Sequence, residues 1–127
     1  LDDSRRTAIQ AIGGTGMSDD NLVYKICPAR AWSVAVDSGH YVGSADDLRD
    51  GFIHLSAADQ ARTTAAKYFR CQTDLVLVSL DAGRLGPALA WERSRGGALF
   101  PHLYAPLDVR AALSVRPLAR SRSQARA

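Results

Sequence analysis

The chain has 127 residues, which is enough for one domain with a buried core and too few for two. Its apolar content of 46% and charged content of 23% are those of an ordinary globular protein, and no apolar run reaches the roughly 20 residues that span a bilayer. The net charge of +3 comes largely from the two ends, because residues 21–115 carry ten Lys/Arg and nine Asp/Glu. Charge on the ends rather than on one folded face disfavours nucleic acid as a partner.

The ends of the chain differ in composition from its middle. Residues 1–20 are rich in Gly, Ser and Asp and lack hydrophobic periodicity, so we expect a disordered extension, with Met17 as the candidate natural start. They also lack the apolar core of a secretory signal, which favours a cytoplasmic bacterial protein. Residues 117–127 are predicted to be a flexible basic tail, and residues 21–116 a single α+β domain. The two cysteines, Cys27 and Cys71, form no clustered motif and are expected to be reduced.

The first half of this domain contains a strand and a helix. "NLVYKIC" has the β-branched and aromatic residues of a strand. "PARAWSVAVDSG" is predicted to be a helix with Pro28 in its first turn and Gly39 as its C-terminal cap. The residues expected on its buried face are Ala31, Trp32, Ala35 and Val36. "HYVGSADDLRDG" is predicted to be a loop with a short helical turn.

A short strand, "FIHL", is predicted to lead into a second helix that ends near Phe69. Ser56 is the expected N-cap of this helix, with Asp59 in a variant of the capping box. The helix residues expected to be buried are Ala58, Ala61, Ala65, Tyr68 and Phe69.

The second half of the domain consists mostly of strands. "DLVLVSLD" is predicted to be a central strand, followed by the strand "ALAWER", the mobile loop "SRGGA" and the proline-punctuated segment "LFPHLYAPL". "DVRAALSVRPL" is expected to be a half-exposed edge strand with its alternate residues facing inward: Val109, Ala111, Leu113 and Val115. Two early helices and mostly late strands indicate the α+β class.

His54 is the first candidate for a functional side chain. Strand alternation places Phe52, His54 and Ser56 on one face, so that His54 and Ser56 face a cleft beside an apolar wall formed by Phe52. The helix start at residues 57–59 offers N–H groups to a phosphate or carboxylate. The alternative is a histidine that only stabilises a turn.

Glu92, the only glutamate, is the candidate acid or base, because a carboxylate in an apolar segment can have a raised pKa. Its alternative role is a surface partner of Arg93 or Arg95. Arg95, on a Gly-Gly loop, could instead clamp an anionic ligand or simply be exposed.

A second candidate histidine lies in the proline-punctuated segment. On an extended chain Phe100, His102 and Tyr104 share one side, so they would face the same cleft. The alternative is core packing by the two aromatic residues, with His102 capping a turn. His54, His102 and Glu92 have no HExxH or HxH spacing, so we predict no metal site.

Four segments carry a resemblance to a known family. "GFIHLS", "TAAKYF", "WER" and "RGGALFPHLYAPL" resemble the bacterial family called domain of unknown function 952, over roughly residues 22–118. The family often has Gly where this chain has Ala105, and a histidine is common where this chain has Lys25.

The resemblance implies a fold of the ADP-ribosyltransferase-like superfamily, with two small antiparallel sheets splayed around a cleft that holds NAD, and two main helices. It places Lys25 in the slot that holds a ribose. It places His54 and Ser56 at the nicotinamide pocket. Glu92, with His102 as its rival, takes the slot of the group that polarises a ribose hydroxyl while the glycosidic bond breaks.

The leading hypothesis is therefore an enzyme that acts at the N-glycosidic bond of NAD or a related nucleotide, without a metal. A second hypothesis is a non-catalytic binding module for a nucleotide-like or anionic small metabolite. A third is a protein–protein adaptor, homodimeric through its late strands. The cleft common to the first two is predicted to be lined by His54, Ser56, Glu92, His102 and Tyr104.

Overall fold

The computed structural model describes residues 21–69 and 72–118. The strands of this part are β1 (Leu22–Pro28), β2 (His40–Tyr41), β3 (Ile53–His54), β4 (Leu75–Asp81), β5 (Leu89–Arg93), β6 (Leu99–Leu103), β7 (Leu107–Asp108) and β8 (Ala112–Pro117). The helices are α1 (Ala29–Ser38), α2 (Ala45–Asp50), α3 (Ala58–Phe69) and α4 (Ala82–Leu85). None of the described helices is long and apolar enough to cross a membrane.

Small antiparallel sheets make up the β structure. β4 lies between β1 and β8 in one three-stranded sheet, which confirms the prediction of a central strand. β6 lies between β3 and β5 in another, and β2 pairs with β7 in a two-stranded ribbon. Mixed helices and antiparallel sheets confirm the α+β class. The proline-punctuated segment is itself a strand: Pro101 lies on β6 opposite Trp91, and its carbonyl accepts from the Leu55 N–H.

The hydrophobic core lies between α1 and the sheet of β1, β4 and β8. Val23, Val78 and Leu80 are completely buried, and α1 covers them with Trp32 and Ala35. The N-cap of α1 is Pro28, and Gly39 ends the helix in the left-handed region with φ 97°, as predicted.

The predicted burial of Val36 is wrong, because its side chain is 52% exposed. The buried stripe of α1 is narrow and follows the i, i+3 spacing of Trp32 and Ala35, which turns Val36 toward solvent.

The start of α3 differs from the prediction. Ser56 is not the N-cap, because its backbone forms an antiparallel bridge with Tyr24. The carbonyl of Ala57 accepts from the N–H groups of Gln60 and Ala61, and the Gln60 side chain accepts from the Ala57 N–H. Gln60 therefore supplies half of a capping box, while Ala57 has no side-chain oxygen for the other half. The residues Ala58, Ala61 and Ala65 are half-buried, and the side chains of Tyr68 and Phe69 lie outside the description.

The inward face of the last strand is also opposite to the prediction. Ala111 is buried and Val109 packs against the core, as predicted, but Leu113 and Val115 are each 42% exposed. Val109 and Ala111 lie in a 3₁₀ turn before β8, so strand alternation does not extend from them into the strand.

Candidate functional site

A pocket of about 560 Å³ lies where the two three-stranded sheets meet. The sheets are joined there by the bridge between Tyr24 and Ser56, with N···O distances of 2.8 and 2.9 Å. β1 contributes Tyr24 and Lys25 to the lining, and the strands β3 and β6 contribute His54 and His102. Side chains from α2 and α3, including Asp50 and Lys67, complete the wall. A volume of this size is typical of a small-molecule site.

Strand register brings the two histidines together. His54 of β3 is the direct antiparallel partner of His102 of β6, so their side chains leave the same face of the sheet. Their ring centroids are 5.8 Å apart, with the rings edge to face. Residues 48 positions apart in sequence thus share one site.

A buried ion pair supports the His54 side of the site. Lys25 Nζ lies 3.0 Å from Asp47 Oδ2, and the two side chains are 3% and 1% exposed. Lys25 Nζ also donates to the backbone carbonyl of His54 at 3.0 Å. Both groups are therefore paired, as buried charges must be to avoid a large desolvation cost.

The Asp47 carboxylate accepts from four directions. Besides Lys25, its donors are the His54 backbone N–H at 3.0 Å, the His54 Nδ1 at 2.6 Å and the Ser44 backbone N–H at 2.9 Å. The last of these belongs to a capping box that starts α2. Burial alone would raise the pKa of Asp47, but the Lys25 ammonium and these hydrogen bonds outweigh it and hold that pKa below its ordinary value.

Gly43 leaves room for this carboxylate. It has φ +116°, and a Cβ at this position would lie 2.7 Å from Asp47 Cβ. A side chain would therefore be strained and would push Asp47 away from His54.

Two carboxylates flank the His54 ring. Nδ1 contacts Asp47 at 2.6 Å, and Nε2 lies 2.9 Å from Asp50 Oδ2. Hydrogen bonds from Arg49 are the largest cause of the lowered pKa of Asp50; desolvation opposes them, and the charge of Arg49 and the charge and hydrogen bond of His54 add to the lowering. Each ring nitrogen of His54 therefore lies within hydrogen-bonding distance of a carboxylate oxygen.

His102 has a different environment. Its Nδ1 lies 2.7 Å from Glu92 Oε1, and its side chain is 6% exposed. The Tyr104 hydroxyl donates to the same Glu92 oxygen at 2.7 Å. Hydrogen bonds from Tyr104 and His102 lower the pKa of Glu92, and the bond to Glu92 raises the pKa of Tyr104. Glu92 is thus an ionised partner that fixes the orientation of His102.

An aromatic ring packs against both imidazoles. The centroid of Phe52 lies 4.0 Å from that of His102, in a stacked arrangement, and 4.6 Å from that of His54. The Tyr104 ring centroid is 5.3 Å from that of Phe52. Phe52 does not line the pocket, but its ring limits how far either imidazole can rotate.

The remaining predicted site residues fall in different places. Ser56 is buried at the pocket, with Oγ 3.3 Å from Thr64 Oγ1, and Phe100 is half-buried in its lining. Glu92 is 42% exposed and Tyr104 is 50% exposed, and both contact the site through His102 and Phe52 rather than lining the pocket. The Arg95 side chain lies outside the description. Within residues 21–69 and 72–118, no group of three His, Cys, Asp or Glu side chains could hold a metal ion.

Sequence reasoning missed Asp47 and Asp50. The signal available was the spacing of Ser44 and Asp47, which is that of a capping box. Nothing in that spacing indicates that the capping carboxylate also contacts a histidine on another element. Asp50 is the last residue of α2, and the chain turns at Gly51, with φ 87°, before it reaches His54.

Comparison with known proteins agrees with this structure. Residues 26–115 match a family described as protein of unknown function (DUF952). The chain belongs to this family. Three structures of protein CC0527 from Caulobacter crescentus are similar to it. The crystal structure shares 51% identity and a TM-score of 0.76, over 80% of this chain and 89% of CC0527.

The solution structure of CC0527 has 50% identity and a TM-score of 0.72, over 81% of this chain and 89% of that one. A crystal structure of a double mutant of CC0527 gives 50% identity and a TM-score of 0.76, covering 80% of this chain and 89% of that one. No curated protein matches the chain. The chain therefore shares its fold with CC0527, and the chemistry has to be inferred from the site.

Proposed function

We propose that this DUF952 protein is an enzyme that acts at the N-glycosidic bond of NAD or a related nucleotide, with a fold of the ADP-ribosyltransferase-like type. The pocket where the two three-stranded antiparallel sheets meet has the size of a small-molecule site, and polar side chains contribute to its lining. The substrate class is inferred from the resemblance to that superfamily. The reaction mechanism is inferred from the side chains of the pocket.

The observation that carries this proposal is the orientation of His102. Glu92 holds Nδ1, so in the neutral ring the proton is on Nδ1 and the lone pair is on Nε2. Among the described residues, His102 Nε2 has no hydrogen-bond partner, and the His102 side chain lines the pocket. A carboxylate-oriented imidazole with an available nitrogen is the arrangement of a general base.

The proposed step is hydrolysis at the anomeric carbon. A water bound near His102 attacks C1′ of the ribose, and its proton moves to Nε2. The bond from C1′ to the pyridinium nitrogen breaks, and its electron pair neutralises that nitrogen, so nicotinamide leaves without a proton. Glu92 stabilises the imidazolium that forms, which makes it a positioning residue and His102 the catalytic one. An acceptor hydroxyl in place of water gives transfer instead of hydrolysis.

The test is release of nicotinamide from NAD, followed by chromatography. We expect turnover by the wild-type protein and a loss of about 10²- to 10⁴-fold in His102→Asn, the range for removal of a general base. His40→Asn is the matched control, because His40 is exposed on β2 and does not line this pocket. The proposal is overturned if the wild-type protein releases no base from NAD or from a related nucleotide such as AMP, or if His102→Asn retains the activity.

A non-catalytic binding module is the second candidate, and one observation favours it. Lys25, in the slot that holds a ribose by resemblance, is buried and its ammonium already contacts Asp47 and the His54 carbonyl. An ammonium group that already makes these two hydrogen bonds is poorly placed to bind a ribose as well. Calorimetric binding of NAD without nicotinamide release would support this candidate over the enzyme.

A further inference from the structure

The two histidines of the pocket differ in what surrounds their ring nitrogens. His54 has a carboxylate at each nitrogen, Asp47 at 2.6 Å and Asp50 at 2.9 Å. Within the described residues, His102 has a carboxylate only at Nδ1, with Glu92 at 2.7 Å. One ring therefore has a carboxylate oxygen near both of its nitrogens, and the other has one nitrogen without a hydrogen-bond partner among the described residues.

The rings are close enough to serve one ligand. Their centroids are 5.8 Å apart, and both side chains line the same pocket. A proton donor and a proton acceptor at this separation can act on opposite sides of a single reacting bond. A proton donor at His54 would have no role in the cleavage of NAD, because the pyridinium of NAD leaves as neutral nicotinamide.

We propose that His54 and His102 form an acid–base pair whose substrate class is a nucleoside or nucleotide with an uncharged base. A purine or pyrimidine leaves as an anion unless it receives a proton, so cleavage of its glycosidic bond requires the acid that His54 provides. This inference rests on the proposed function and narrows its substrate.

In this step His102 takes up one proton and His54 releases one. Water attacks C1′ of the ribose and gives its proton to His102 Nε2. The electron pair of the C1′–N bond moves into the base, and a ring nitrogen of the base takes the proton from His54 Nε2. His102 ends protonated and His54 ends neutral, and exchange with solvent restores both. Asp50 loses its contact with Nε2 when the base binds and keeps Arg49 as its partner.

Charged and titratable groups around each imidazole influence its proton transfer. His54 faces Asp47 and Asp50 from α2, Lys25 from β1 and His102 from β6. His102 faces Glu92 from β5 and, through Glu92, the hydroxyl of Tyr104. In the part of the chain that the structure describes, Asp50 is the one carboxylate that contacts His54 without belonging to the buried ion pair. It is therefore a positioning residue that can be altered separately.

The experiment measures cleavage of AMP to adenine and of NAD to nicotinamide by the same protein preparations. We expect the wild-type protein and the His40→Asn control to cleave AMP. His54→Asn should lower AMP cleavage at least 100-fold and NAD cleavage less than about 5-fold, because only the adenine base needs the proton. His102→Asn should lower both activities by about 10²- to 10⁴-fold.

A second variant guards against misfolding of His54→Asn, since His54 also contacts buried Asp47. Asp50→Asn removes the carboxylate at Nε2 and leaves the ion pair intact. The alkaline limb of the pH–rate profile for AMP should move to lower pH in Asp50→Asn, while the profile for NAD stays in place.

The outcomes separate this inference from the proposed function. NAD cleavage without AMP cleavage overturns the acid–base pair and leaves the proposed function standing. Equal losses for both substrates in His54→Asn, with an unmoved profile in Asp50→Asn, overturn it as well. If the wild-type protein cleaves neither AMP nor NAD, both the proposed function and the acid–base pair are overturned.

Discussion

Lys25 Nζ and Asp47 Oδ2 are 3.0 Å apart, and the two side chains are almost completely buried at the inner wall of the pocket. Such a pair adds little net stability compared with two apolar residues, but loss of one partner leaves an uncompensated buried charge. Asp47 also binds His54 and caps α2. The same carboxylate therefore connects the stability of the fold with the geometry of the site.

Asp47→Asn should lower the free energy of unfolding by about 3–5 kcal/mol, because it leaves the Lys25 ammonium buried beside a neutral amide. Urea denaturation followed by circular dichroism measures this. Asp46→Asn is the matched control, since Asp46 is the neighbouring carboxylate, is 68% exposed and pairs with Arg49. We expect a change within about 1 kcal/mol there. Similar losses in both variants would contradict a special role for Asp47.

The effect of Asp47→Asn should depend on pH. The folded pKa of Asp47 lies below its unfolded value of about 3.9, so its contribution is complete above that value and disappears as pH falls through the folded pKa. The stability gap between the wild-type protein and Asp47→Asn should therefore be constant above about pH 6 and shrink below about pH 4. Denaturation at a series of pH values measures the gap. A gap that stays constant down to about pH 2 would show that the charge of Asp47 does not matter.

Tyr104→Phe should raise the pKa of Glu92. The Tyr104 hydroxyl is the largest cause of the lowered value, and His102 is the next, so the shift should be partial. Because Glu92 is the only glutamate in the chain, selective ¹³C labelling of glutamate gives a single carboxyl resonance to titrate. An unchanged titration midpoint would mean that the Tyr104 hydroxyl does not bind Glu92 in solution. A full return of the Glu92 pKa to its ordinary value would mean that His102 does not bind Glu92.

Cys27 should react slowly with thiol reagents in the folded protein. It is 2% exposed, and burial raises the pKa of its thiol to about 11, with the Lys25 charge opposing and the Asp47 charge adding to the rise. In a Cys71→Ser background, labelling by a disulfide reagent at about pH 8 should be at least about 100-fold slower in buffer than in urea, because the thiolate is the reactive form. Comparable rates would contradict this burial.

Local patterns in the sequence predicted the elements that hydrophobic periodicity and caps determine. β4 is central because "LVLVSL" has little polar surface to expose, and Gly39 ends α1 because it accepts a left-handed conformation. The errors have different causes. Ser56 is held by its bridge to Tyr24, a tertiary contact that outweighs a local capping preference. Val36 lies outside the narrow buried stripe of α1, and a 3₁₀ turn precedes β8.

The candidate site could be predicted only in part, because local patterns place residues within one strand but do not set the register between strands. Strand alternation was enough to place His54 with Phe52 and His102 with Tyr104, because alternation is a property of each strand alone. The register that pairs His54 with His102 is set between strands, and it brings the rings to 5.8 Å. The second carboxylate environment, from Asp47 and Asp50, depends on how α2 packs, which no pattern in the sequence specifies.

The backbone bridge between Tyr24 and Ser56 also limits how the protein can adapt to ligands. Bending one sheet against the other would break the two short N–H···O bonds of this bridge. The strands that line the pocket are therefore expected to keep a fixed relative position. Any adaptation in width has to come from α2 and α3, the helical walls opposite. Substituents that extend toward those helices should therefore be tolerated, whereas added bulk toward the strands should be rejected.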